Sequence, residues 1–267
     1  MPLPGSDEAH VWSVDLDLPA EGLRALRELL GPDERERARR CVLPLQRDRF
    51  TAARGALRSV LARYTGTAPE RLRFLTSPRG RPRLATPVGR LGGAERLKDP
   101  EGPEGLEGLE SSAGLERSEG LTGAEGLEDL EGLDFSLSHS GATALIAVAH
   151  RTRVGVDIEE IDPALDHRTM ARRFLGPAEA ELAAALPDPA GRRVFFTGWT
   201  RREAFAKAAD CPIPRTLRLG DARLLWDLHI RPGTCAALVT TRPVSALRSW
   251  TWEGPVERTP HAHPHGR

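Results

Sequence analysis

Between residues 92 and 134 the chain repeats Glu-Gly-Leu triplets, as in Glu104-Gly105-Leu106-Glu107-Gly108-Leu109, and no other feature limits the fold as strongly. A period of three matches neither the turn of an α-helix nor the two-residue alternation of a strand. Glycine at every third place also opposes helix formation. The stretch reads as a disordered acidic insertion in a surface loop. A packed structure must then be built from two flanking segments, residues 1–91 and 135–252, with a polar tail at 253–267. Aromatic residues are only 5% of the chain, so the core has to be mostly Leu, Val and Ala.

Both flanks carry regular patterns. Val11-Trp12-Ser13-Val14-Asp15-Leu16 alternates as a strand. Gly31-Pro32 starts a charged helix over 33–40. Phe50, Ala53, Leu57, Val60, Leu61 and Tyr64 recur at three- and four-residue spacing and define a buried helical stripe. Arg47, Arg54 and Arg58 form a basic stripe beside it, read on composition alone as a solvated face. Residues 72–75 are a short strand, and Ser77-Pro78-Arg79-Gly80-Arg81-Pro82 is a turn. The apolar run 144–149 and the alternating run 154–159 suggest a hairpin turning at 150–153. Helices are expected over 171–175, 177–186 and 193–209. Apolar stretches at 224–226, 235–239 and 247–252 suggest a small antiparallel sheet.

Charge and cysteine use narrow the function classes. The formal net charge is +0, from 38 basic and 38 acidic residues, which argues against a nucleic-acid partner. Cys41, Cys211 and Cys235 are scattered without a framework, as in a reducing compartment. No apolar run approaches a membrane span, and the first residues lack a signal-peptide pattern. The expectation is a cytoplasmic protein with no membrane partner.

Chemistry concentrates in three places. In Val154-Gly155-Val156-Asp157-Ile158-Glu159 the branched residues share one strand face, and Asp157 and Glu159 share the other. Two adjacent anions with no Cys or His among them suit a hard cation such as Mg²⁺ better than Zn²⁺, although a solvent-facing edge gives the same pattern. Glu203 and Lys207 stand four apart on one helical face, the spacing of an ordinary ion pair. Ser136-Leu137-Ser138-His139-Ser140-Gly141 offers hydroxyls and an imidazole before a glycine. Such an element suits phosphate oxygens, a nucleophile loop or a structurally satisfied histidine.

Taken in order, these pieces resemble the 4′-phosphopantetheinyl transferase superfamily, in its long single-chain form typified by the surfactin-synthetase activator. That family's strongest motifs, G-[IV]-D-[IV]-E and W-[ST]-x-K-E-[AS]-x-x-K, read here as Gly155-Val156-Asp157-Ile158-Glu159 and Trp199-Thr200-Arg201-Arg202-Glu203-Ala204-Phe205-Ala206-Lys207. The Ser-His-Ser element and Arg172-Arg173-Phe174 also fit. The resemblance implies an α+β monomer of two pseudo-twofold-related subdomains, each a small antiparallel sheet packed with helices. It implies transfer of phosphopantetheine from coenzyme A to a serine of an apo acyl or peptidyl carrier protein, with adenosine 3′,5′-bisphosphate leaving. Asp157, Glu159 and Glu203 match the Mg²⁺ ligands, and Glu203 is the candidate base. Lys207 matches the lysine facing the pyrophosphate. Arg54, Arg81, Ser138 and His139 match positions gripping the coenzyme A phosphates.

Three departures stand out. Arg202 replaces the family's usual lysine, Arg81 replaces the lysine of a G-K-P turn, and the usual Gly-x-Gly-Leu turn is missing after Lys207. They leave two rival readings: an inactive carrier-binding module, and a Mg²⁺-dependent hydrolase of coenzyme A or a related nucleotide.

Overall fold

The structure, a computed structural model, describes residues 1–85, 130 and 132–254. The acidic insertion expected at 92–134 lies outside these residues except at its end, where Leu133 and Asp134 already belong to a strand. The tail expected at 253–267 lies outside them beyond Gly254. Residues 1–85 and 132–254 fall in one compact unit.

The first strand, β1 (Glu8–Asp15), leads into helices α1 (Ala20–Leu29), α2 (Pro32–Arg40) and α3 (Pro44–Thr65). Proline sits at the first position of α2, where its missing N–H costs nothing. The Glu34 carboxylate reaches back to accept from the Gly31 N–H at 2.9 Å, and Arg37, Arg39 and Arg40 face the negative end of the helix dipole. The long α3 stops at Gly66, whose φ of 63° is the left-handed conformation that terminates helices.

A small hairpin follows, β2 (Phe74–Thr76) with β3 (Pro82–Leu84). Then come β4 (Leu133–Ser140), β5 (Thr143–His150), β6 (Val154–Glu160), α4 (His167–Phe174), α5 (Pro177–Ala185), α6 (Ala190–Ala209), β7 (Leu225–Leu228), β8 (Thr234–Thr240) and β9 (Ala246–Trp252). One sheet has the order β4-β5-β1-β9 and another the order β6-β8-β7. The α+β class expected from the resemblance is what the chain adopts. Among the described residues, no helix is long and apolar enough to cross a membrane.

The elements stack as four layers because β5 is buried along its whole length. Ile146 and Val148 pack with Trp12, Val14 and the α3 stripe of Leu57, Val60 and Leu61. The other face, Leu145 and Ala147, packs on Val154, Val156 and Ile158 of β6. Beyond β6, Ala237 and Val239 of β8 meet Ala204 and Ala208 of α6. Each fully buried Leu, Val or Ile contributes about 1.5–3 kcal/mol through apolar burial.

Three expectations are corrected. Residues 150–153 do not turn a hairpin: β5 pairs with β1 and β4, whereas β6 pairs with β8, so the chain changes sheets there. Strand β5 is internal to its sheet, with one edge paired to β1 and the other to β4, so it has no free edge for β6. The expected C-terminal sheet is half right. β7 and β8 pair antiparallel, but β9 runs parallel to β1 in the other sheet, with Trp250 stacked on Trp12 at 5.0 Å. Finally, the arginine stripe of α3 is solvated at Arg47 but not at Arg54 and Arg58. Arg54 Nε and Arg58 Nε donate to the Glu34 carboxylate at 2.6 Å each, and both guanidinium groups lie over the Phe74 ring.

Candidate functional site

The site forms where α6 crosses β6. An added Cβ at Gly155 would lie 2.0 Å from the Ala204 carbonyl oxygen and 2.5 Å from the Ala208 nitrogen, so only glycine permits this approach. The close crossing brings Lys207 to Asp157. The ammonium donates to Asp157 Oδ1 at 2.7 Å, to Ser138 Oγ at 3.0 Å and to the Val156 carbonyl at 3.3 Å. All three of its protons therefore have partners.

Strand β4 supplies the support. Its serines alternate onto one face and bridge to β6. Ser136 Oγ accepts from the Val156 N–H at 3.1 Å, and Ser138 Oγ donates to Asp157 Oδ1 at 2.7 Å. Ser140 Oγ donates to Glu159 Oε2 at 2.9 Å and accepts from the Glu160 N–H at 3.0 Å. The period of two in Ser136, Ser138 and Ser140 was the signal for this ladder, and Ser136 and Ser140 were missed as site residues. Ser138 reaches the site as the partner of Asp157. His139 has the opposite parity, and its pKa is lowered by burial and then by the positive charges of Lys207, Arg37 and Arg49.

Electrostatics couple the three carboxylates. Asp157 is buried at 3% exposure, and burial raises its pKa against the opposing pull of Lys207 and Ser138. Burial also raises Glu159, with the Asp157 charge next, while Ser140 pulls the other way. Glu203 is raised by burial and then by the Asp157 charge, and Lys207 partly offsets this. The Asp157 anion is thus felt at both glutamates.

These residues fit a hard cation in one respect and depart from expectation in another. Asp157 Oδ2 is buried without a hydrogen-bond partner, an acceptor that a cation would satisfy. Yet among the described residues no three Asp, Glu, His or Cys side chains converge closely enough to cage a metal. The expected convergence of Asp157, Glu159 and Glu203 is therefore not a ready-made three-ligand centre among the described residues, and Glu159 accepts from Ser140 instead. Mg²⁺ is commonly held by one or two carboxylates, with substrate phosphates and water completing its shell.

Beside the carboxylates lies a cleft of about 550 Å³ whose lining includes Pro82, Leu137, Glu203, Lys207, Pro212 and Ile213. This volume is within the usual range for small-molecule pockets. Arg81 also borders it, but its guanidinium is largely spent. One Nη2 donates to Asp134 Oδ2 at 2.5 Å, to the Phe135 carbonyl at 3.1 Å and to the Val154 carbonyl at 2.8 Å, while Nη1 reaches the Ala208 carbonyl at 3.3 Å. These bonds make Arg81 a clamp joining the turn before β3 to β4, β6 and α6, with its Nε left unpartnered. Arg54 is likewise bound to Glu34 and is not among the cleft-lining residues. Arg81→Met is expected to lower stability by about 3 kcal/mol, since it strips the partner from a half-buried carboxylate. Urea unfolding measures this, and an unchanged midpoint would show the clamp to be dispensable.

A family model described as the 4′-phosphopantetheinyl transferase superfamily matches residues 153–258. The chain is similar to the 4′-phosphopantetheinyl transferase HetI of a Nostoc species, 35% identical over 203 residues that span 76% of this chain and 69% of that protein. It is also similar to the 4′-phosphopantetheinyl transferase AcpT of Salmonella typhimurium, 32% identical over 101 residues, which are 34% of this chain and 52% of that one.

Proposed function

The chain belongs to the 4′-phosphopantetheinyl transferase superfamily, and from that premise we propose that it moves phosphopantetheine from coenzyme A to a serine hydroxyl of an apo acyl or peptidyl carrier protein. The observation that carries this reading is the buried Asp157, bonded to Lys207 through one oxygen and unpartnered at the other, beside a cleft that Glu203 and Lys207 line. A phosphoanhydride needs cationic groups on its oxygens, and the acceptor hydroxyl needs a base. The two kinds of group stand four residues apart on one helix.

In this proposal Lys207 exchanges its 3.3 Å bond to the Val156 carbonyl for a pyrophosphate oxygen, while Asp157 and Ser138 hold it in place. Glu203 takes the proton of the incoming serine, directly or through a water. Its raised pKa brings a carboxylate nearer to working pH, which suits a base. The serine oxygen bonds to the phosphorus nearest the pantetheine arm, the phosphoanhydride P–O bond breaks, and adenosine 3′,5′-bisphosphate carries away the electron pair. Asp157, Glu203 and Glu159 are the residues that would hold Mg²⁺, which would neutralise charge on the transferred group and the leaving phosphate. His139, carried over from the family resemblance, is the proposed contact for a further phosphate of coenzyme A. We place the reaction in the cytoplasm, with the protein acting as a monomer.

The test is incubation of the protein with coenzyme A, Mg²⁺ and a panel of apo carriers, with bisphosphate release followed alongside carrier mass. Release that requires a carrier and matches its gain of one phosphopantetheine group supports transfer. Release without a carrier would replace transfer by hydrolysis. Carrier binding with no product would leave an inactive module.

A further inference from the structure

Arg202 was singled out by its type and has no part in the transfer chemistry above. The structure gives it a different position from its neighbour Glu203. The residue is buried at 0% exposure, and its side chain is the largest so enclosed among the described residues. Nη1 donates to the Gly198 carbonyl at 2.8 Å and to Glu179 Oε1 at 3.2 Å, and Nη2 also meets the Glu179 carboxylate. Nε and Nη2 both donate to the Arg215 carbonyl, at 3.1 and 2.9 Å. One guanidinium thus ties α6 to α5 and to a loop that has no regular structure of its own.

That loop begins where α6 ends. Asp210 caps the helix in the left-handed conformation with φ of 53°, and Cys211, Pro212 and Ile213 then line the cleft opposite Pro82. Ile213 is 39% exposed and presents an apolar side chain to the cleft that it lines. The loop's far end is fixed by three bonds: two from Arg202 to the Arg215 carbonyl, and one from Arg215 Nη2 to the Arg172 carbonyl at 3.0 Å. The expected Gly-x-Gly-Leu turn is absent, and a buried side-chain anchor stands in its place.

We propose that Arg202 is a positioning residue: by holding the Arg215 carbonyl it sets the Pro212–Ile213 wall against which coenzyme A is seated in the cleft. The proposal rests on the transfer reading for the identity of the ligand. A lysine cannot do the same work. It keeps the charge for Glu179, but its point-like ammonium lacks the planar fork that meets Arg215, Gly198 and Glu179 at once.

Three variants test this by coenzyme A affinity from calorimetry, kcat and KM for transfer, and limited trypsin cleavage after Arg215. Arg202→Lys and Arg202→Met are expected to weaken coenzyme A binding about tenfold and raise its KM in step, with kcat within about threefold, as expected when seating is lost and chemistry is kept. Both should speed cleavage after Arg215. Ile213→Ala, which leaves the latch intact, should weaken binding similarly with cleavage unchanged, so it decides the matter if the Arg202 variants fail to fold. Unchanged affinity in Ile213→Ala, or a fall in kcat at constant KM in Arg202→Lys, would overturn the proposal. If the wild type binds coenzyme A but transfers nothing, the transfer reading fails while the affinities still judge the latch.

Discussion

Replacing Asp157 with alanine is expected to leave a folded protein and to lower kcat/KM for transfer by about 10⁴-fold, the scale of losing charge stabilisation at a phosphoryl centre. Three losses combine in this variant. Lys207 loses its 2.7 Å anchor, Ser138 loses its acceptor, and the orphaned Oδ2 disappears. The fold should survive, because burial already penalises the Asp157 anion and its removal leaves Lys207 about one-third exposed and able to hydrate. Circular dichroism and a melting curve check the first statement, and steady-state kinetics check the second. Activity within tenfold of wild type would remove Asp157 from the mechanism.

Glu203→Gln is the second large effect, and it should act in opposite directions on activity and stability. Loss of the base is expected to lower kcat by about 10³-fold. Stability without ligand should rise. Burial and the Asp157 charge lift the Glu203 pKa above its unfolded value. Below the unfolded pKa both states hold the proton, and nothing is lost. As pH rises past it, the unfolded chain ionises first and the folded state is disfavoured. Above the folded pKa the penalty is complete. The Gln variant should therefore melt higher than wild type at about pH 8, with the gap closing at about pH 4 as the wild-type carboxyl regains its proton. A gap of the same size at both pH values would show that charge is not the cause. Such a trade between stability and function is common where a site concentrates like charges.

How far the sequence revealed this site follows from how local each signal is. The parity of β6 put Asp157 and Glu159 on one face, and the four-residue spacing of Glu203 and Lys207 put them on one turn. Both inferences need only short-range periodicity. The crossing that unites them was not legible. Its sign was Gly155, whose missing Cβ is explained only by the backbone of α6. Arg81 shows the limit most clearly. Its partners Asp134, Val154 and Ala208 lie 53, 73 and 127 positions away, so a residue that resembles a phosphate ligand by type proves to be a clamp. Arg54 and Arg58 differ from a solvated stripe through Glu34, which a helical wheel of α3 does not contain. The parallel pairing of β9 with β1 spans nearly the whole chain, and no alternation within β9 announces it. Ser140, in contrast, was readable from the alternation that had already singled out Ser138.

The central claim is that Asp157 makes this cleft a cation-assisted phosphoryl-transfer site. Intact-mass measurement of an apo carrier, at fixed coenzyme A across a Mg²⁺ titration, tests it most directly. The account expects one phosphopantetheine added per carrier by the wild type, rising with Mg²⁺ and abolished by chelator, and none added by Asp157→Ala at any Mg²⁺ level over the same time. Holo-carrier formed at the wild-type rate by the Asp157→Ala protein, or by the wild type in excess chelator, would contradict it.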